Sequence, residues 1–285
     1  MNFWKLTLSY DGTAFHGWQV QPGLSTVQGR FAEAIEYVTG EQLVPQGSGR
    51  TDAGVHALGQ VASFALEARI PALNLQHALN RALPQSIRVL SAEVMNPTFH
   101  ARHSAIRKTY EYRIFKPLSY RKDRSSSAET ICSPFDAPFV WDCHWELQLE
   151  PMQRAAQLLC GTHDFTSFAA SDPDLAQRKT SSPNLNPVRT IYLSNVERQD
   201  TLVFYRVTGN GFLHHMVRNI VGTLVDVGRG SYVAEDMPRI LAAKNRSAAG
   251  PTAPAQGLFL SHVEYANSAY EEISASQIEA LEARG

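Results

Sequence analysis

From residue 25 to residue 40 the apolar side chains Val27, Phe31, Ile35 and Val38 recur at steps of three and four, which predicts one buried face of a helix. Ser25 and Gln28 fit a capping box at its start, and Gly40 supplies its stop. Ahead of it, "FWKLTLSY" at 3–10 reads as a strand that runs into a turn at "DGT". Residues 60–66, "QVASFAL", and 86–94, "SIRVLSAEV", read as two more strands. The segment "PALNLQHALNRAL" between them reads as a second helix with proline at its start.

The second half repeats the theme. "KTYEYRIF" at 108–115 is a strand that puts Lys108, Tyr110, Tyr112 and Ile114 on one face. "PMQRAAQLLCG" predicts a short helix, and "VRTIYLSNVE" with "TLVFYRVTG" predicts a hairpin. An amphipathic helix is expected over 212–228, with Met216, Val217, Ile220, Val221 and Leu224 inward, and 258–265 is the last strand. Residues 117–140 and 171–188, rich in Ser, Pro, Asp and basic residues, read as long loops. The expected fold is therefore α+β, two similar halves with largely antiparallel sheets, at 1–104 and 105–266, followed by an acidic tail at 267–285.

Composition narrows the class without naming a function. At 285 residues and 44% apolar content the chain can bury a full core without staples. No apolar run is long enough to span a bilayer and the first ten residues lack a signal-peptide core, so a cytoplasmic protein is expected. Cys132, Cys143 and Cys160 are odd in number and never spaced C-x-x-C, which argues against a disulfide framework or a zinc cluster. The net charge of −1 hides an asymmetry. Residues 99–124 hold eight Lys/Arg against two acids, whereas the last 22 residues hold five Glu and one Arg. A basic band with interleaved Tyr and His suits a phosphate backbone with exposed bases; a solvated strand face is the plain alternative.

Candidate chemistry centres on "GSGRTDAGVHA" at 47–57, where Asp52 sits among three glycines with Arg50 two residues before it. Alone, such an aspartate serves a turn more often than a reaction. The stretch is neither a dinucleotide fingerprint nor a P-loop, and no second copy exists to make an aspartic-protease dyad. "LTLSYDGT" resembles the nucleophile strand of aspartyl-phosphate phosphatases, but Ser9 stands where the attacking carboxylate belongs, leaving Asp11 alone. No G-x-S-x-G elbow occurs. The pair His214-His215, if helical, splays by about 100° and makes a poor metal site.

Four motifs then occur in order: "YDGTAFHGWQVQ" with "TVQG", "GRTDAGVHA", "RKTYEYRIF", and "GNGFLHHMVRNIVGTLVDVG" followed by "AQGLFL". On these the chain resembles the TruA family of tRNA pseudouridine synthases over nearly its whole length. The resemblance implies an isomerase that converts uridine to pseudouridine at positions 38, 39 and 40 of the tRNA anticodon stem-loop, working as a homodimer without metal or cofactor. It also implies two α+β halves around a central RNA-binding cleft. It assigns Asp52 as the catalytic carboxylate, Tyr110 as the tyrosine that packs on the target base, and Arg218 as the arginine that pairs with the aspartate. The resemblance likewise implies that Leu258 lines the uracil pocket and that Arg50 assists base flipping or RNA contact. A catalytically silent RNA-binding protein on the same scaffold is the competing expectation, and an Asp11-dependent phosphohydrolase is a more distant one.

Overall fold

The computed structural model describes residues 1–116, 131–170 and 186–266, which fall into two compact units. Residues 1–108 with those from 260 onward form the first, and 109–259 form the second. Most of the expected loops at 117–140 and 171–188, and the acidic tail, lie outside the described residues.

In the first unit, β1 (Asn2–Tyr10) runs between β3 (His56–Leu66) and β4 (Ile87–Met95), antiparallel to both, and a two-residue β2 (Gln46–Gly47) pairs with β3. The larger part of β10 (Leu258–Tyr265) extends the order to β4-β1-β3-β10. Helix α1 (Val27–Thr39) buries Val27, Phe31, Ala34 and Ile35, and the Phe31 ring meets Phe64 of β3 edge-on at 5.8 Å. Helix α2 (Ala72–Ala82) adds Leu75 and Leu79 to the same core. The N-cap moves by one residue from its expected place, and the residue three on is Gly29, which has no side chain to complete a capping box. Thr26 is the N-cap, its hydroxyl accepting from the Gly29 amide, while Ser25 uses its carbonyl for the His16 amide. Gln28 turns instead to Pro45 and Val20, tying down the chain on either side of the helix.

In the second unit, the larger part of β5 (Ala105–Phe115) begins the order β5-β9-β8-β7, with β7 at Gly161–Asp164, β8 at Val188–Gln199 and β9 at Leu202–Gly209. The expected β8–β9 hairpin forms with Gln199 facing Leu202, so its loop is Asp200-Thr201. Asp200 takes a positive φ of 52°, a conformation short polar side chains tolerate in tight hairpins. A two-residue β6 (Trp141–Asp142) joins β5 in parallel, within a largely antiparallel arrangement. Helix α3 (Leu149–Gln157) packs against β8. Helix α4 is shorter than its sequence pattern suggests. It spans Met216–Gly228, because His215 adopts a left-handed φ of 58° that breaks the helical run before it. A further helix, α5 (Asp236–Ala243), follows in a stretch whose periodicity is too short to announce it.

Candidate active site

The loop carrying Arg50 and Asp52 joins β2 to β3 in the first unit, with Arg50 exposed and Asp52 half-buried. Its turn closes when the Val55 amide donates to the Asp52 carbonyl at 3.1 Å, and Gly54 supplies the positive φ of 76°. The "YDGTAFHGW" segment wraps this loop. Trp18 donates its amide to the Thr51 carbonyl, and Gly54 donates to the Phe15 carbonyl. A β-carbon on Gly12 would fall 2.0 Å from the Val55 oxygen, and one on Gly17 would fall 2.6 Å from the Thr51 oxygen. Backbone passes backbone here with no room for a side chain, which explains why the first motif accompanies the second.

Beneath the loop lies a buried polar network. Gln60 on β3 accepts from the Ser48 hydroxyl at 2.6 Å and donates to the Gly49 carbonyl at 2.9 Å. Its amide also reaches the Tyr10 hydroxyl, which shares a 2.8 Å hydrogen bond with the Thr51 hydroxyl. Burial pushes the Tyr10 pKa up to about 12, so its phenol stays protonated as a partner in the network. On the other side, the Lys108 ammonium donates to the Ser48 carbonyl. Burial, helped by the nearby Arg102 charge, brings the Lys108 pKa down to about 8. Side chains thus grip residues 48, 49 and 51, immediately around Arg50.

Asp11 is absorbed by its own turn. Its carboxylate accepts from the amide and hydroxyl of Thr13 at 2.9 and 2.6 Å. The His56 Nδ1, 3.3 Å away, accepts from the Gly12 amide and so carries no proton toward Asp11. Ser9 donates its hydroxyl to the Ala57 carbonyl. Both residues serve the fold around the loop, which weighs against a phosphohydrolase built on them.

Tyr110, Arg218 and Leu258 belong to the second unit. Tyr110, near the middle of β5, is buried with its ring edge-on to Phe212 at 5.0 Å. Arg218 lies in the first turn of α4, and its Nε donates to the Ala253 carbonyl at 2.8 Å while its own carbonyl accepts from the Ala253 amide. One strand-step from Tyr110 and on the same face, Tyr112 donates its hydroxyl to the next carbonyl, Pro254, at 2.8 Å. Burial raises the Tyr112 pKa, with the Arg218 charge opposing the rise. Leu258 is buried and opens β10 directly after a 3-10 turn at Ala255–Gly257. The segment 250–258 is therefore the common support of Arg218, Tyr112 and Leu258. His214 and His215, expected within the helix, instead precede it, their ring centroids 3.9 Å apart and the rings tilted by 32°.

The charge count of the basic band overstates its free cations. Arg113 lies 4.0 Å over the Phe259 ring and pairs with Glu111, while Lys116 is buried and pairs with Glu146. Arg102 and Arg107 are exposed, and Arg107 lies 3.5 Å from Glu264. Sequence reading missed Gln60, Ser48, Thr51 and Tyr10. Lys108 carried a signal, since it shares a strand face with Tyr110, and buried polar residues such as Gln60 in an apolar strand invite the same question.

The sequence profile of a family described as tRNA pseudouridine synthase matches residues 7–104 and 155–266. A protein of Solibacter usitatus named tRNA pseudouridine synthase A is 47% identical over 261 residues, 92% of this chain and 98% of that protein. The protein of the same name from Moorella thermoacetica is 43% identical over 263 residues, again 92% and 98% of the two chains. In Protochlamydia amoebophila, a tRNA pseudouridine synthase A 1 is 41% identical over 268 residues, 94% of this chain and 98% of the other.

Proposed function

The chain belongs to the tRNA pseudouridine synthase family, and we propose that it isomerises uridines at positions 38, 39 and 40 of the tRNA anticodon stem-loop with Asp52 as its catalytic carboxylate. The observation that supports the role of Asp52 is the build of its loop: two glycine crossings and a buried polar network fix the backbone on either side of this half-buried residue. A turn alone would not need that support.

The reaction breaks the C1′–N1 bond, turns the uracil and joins C1′ to C5. The C5 proton leaves and N1 gains one, so the product is an isomer and no redox partner or energy source enters. The target nucleotide leaves the base stack, at a cost of a few kcal/mol. An ionised carboxylate then attacks C1′ or removes the C2′ proton, and Asp52 supplies it on either route. Arg218 serves as the cation that orients the carboxylate and keeps it charged as water leaves. The aromatic face of Tyr110 stacks on the extruded uracil, Leu258 packs against it, and exposed Arg50 holds phosphate or fills the vacated stack. The enzyme acts as a cytoplasmic homodimer, without metal or organic cofactor.

Tritium release from tRNA carrying C5-labelled uridine tests the activity, and mapping pseudouridine in the product tests the positions. Release confined to the anticodon stem-loop at 38–40 supports the proposal. Binding of tRNA without release would favour the silent RNA-binding alternative.

A further inference from the structure

Two successive carbonyls of the Asp52 loop are each held by a side chain from a different strand. The Ser48 carbonyl accepts from the Lys108 ammonium of β5, and the Gly49 carbonyl accepts from the Gln60 amide of β3. Gln60 is fully buried, and its remaining hydrogen bonds go to Ser48, Val61 and Tyr10. A Cβ added to Gly49 would lie 3.2 Å from the Lys108 nitrogen, so the ammonium sits close over the backbone. A turn needs neither contact, because the Asp52–Val55 hydrogen bond already closes it. The two carbonyls lie just before Arg50, the point at which the chain direction of the following residues is set.

We propose that Lys108 and Gln60 are positioning residues that clasp the Ser48 and Gly49 carbonyls and so aim Arg50 and Asp52. The clasp rests on the reading of this loop as the catalytic one. A buried amide and a half-buried ammonium suit the task, since withdrawal of either takes a donor from a backbone acceptor. Small displacements at a reacting group cost up to about a hundredfold in rate. The loss therefore falls on the chemical step rather than on RNA affinity.

The test compares the native chain with Lys108→Met, Lys108→Arg and Gln60→Glu, each first confirmed as folded by circular dichroism and thermal unfolding. Hydrogen exchange of the peptide covering residues 49–53 reads the clasp without any substrate. Single-turnover tritium release at saturating tRNA and the tRNA dissociation constant read its consequence. Lys108→Met and Gln60→Glu are expected to speed exchange about tenfold, as a released local element does. They are expected to slow the single-turnover rate about tenfold or more while the dissociation constant stays within about threefold. Lys108→Arg, which keeps charge and donors, restores most of both. Unchanged exchange would overturn the clasp. Faster exchange with an unchanged rate would overturn its positioning role, and a loss confined to affinity would make Lys108 an RNA contact instead. Should the native chain release no tritium, the proposed function falls, while the exchange comparison still decides the clasp.

Discussion

Asp52 depends on glycines some forty residues upstream. Gly17 has a φ of 86°, and its missing side chain leaves room for the Thr51 carbonyl. Gly17→Ala should therefore lower stability by about 1–3 kcal/mol, combining left-handed strain with a forced separation from the loop. Urea denaturation measures the first effect; the single-turnover rate falls with it. Tyr10→Phe removes one buried hydroxyl between Thr51 and Gln60 and should cost about 1 kcal/mol, leaving partners that can still bond one another's neighbours. At Lys108 the sign of a pH effect is fixed by its lowered pKa. The ammonium is present below about 8 and is lost as pH rises through that value, with Arg102 the charged neighbour and the Ser48 carbonyl a neutral partner. The charge-assisted bond then weakens. The single-turnover rate of the native chain should decline above about pH 8, and Lys108→Arg should flatten that decline because a guanidinium stays protonated. A decline of equal size in both would place its cause elsewhere.

Among the elements, α4 and the segment 250–258 act as one piece. A β-carbon on Gly222 would fall 1.7 Å from the Pro251 oxygen, and one on Gly250 would fall 2.8 Å from both the Asp226 carboxylate and the Thr223 α-carbon. The Gly250 amide also donates to the Thr223 hydroxyl. Gly222→Ala should thus destabilise by about 3 kcal/mol or more, since backbone and not a flexible side chain must yield. Activity should fall further than stability alone explains, because Arg218 and Leu258 hang on the displaced segment; thermal unfolding and tritium release separate the two. Periodicity made the main strands, the hairpin and the buried face of α4 legible from sequence. It could not place ends: Thr26 rather than Ser25 caps α1, and a single left-handed residue, His215, delays α4 by a turn. Nor could it show what supports the site. The 250–258 segment has no period to read, and the Gln60 network joins residues as far apart as 10 and 60, which become neighbours only in the folded sheet.

At the scale of the whole molecule, a net charge of −1 coexists with a surface that must meet an RNA polyanion. Several cations of the 99–124 band are paired internally, Arg107 with Glu264 among them, while Arg102 is exposed and able to meet phosphates. Binding through about four phosphate contacts should weaken roughly a hundredfold between 50 and 200 mM salt, a slope that filter binding or fluorescence titration reads directly. No helix among the described residues is long and apolar enough to cross a membrane. The proposed homodimer predicts a sedimentation mass of twice 31.6 kDa, and a monomer mass at micromolar concentration would contradict it. The matches on either side of the gap at 105–154 place the family's sequence in both units. The most direct test of the account is single-turnover tritium release from C5-labelled tRNA by the native chain and by Asp52→Asn, at matched tRNA occupancy. The native chain should release tritium, and the variant should bind tRNA equally well yet release it at least about a thousandfold more slowly. Release by Asp52→Asn at the native rate would contradict the role given to Asp52.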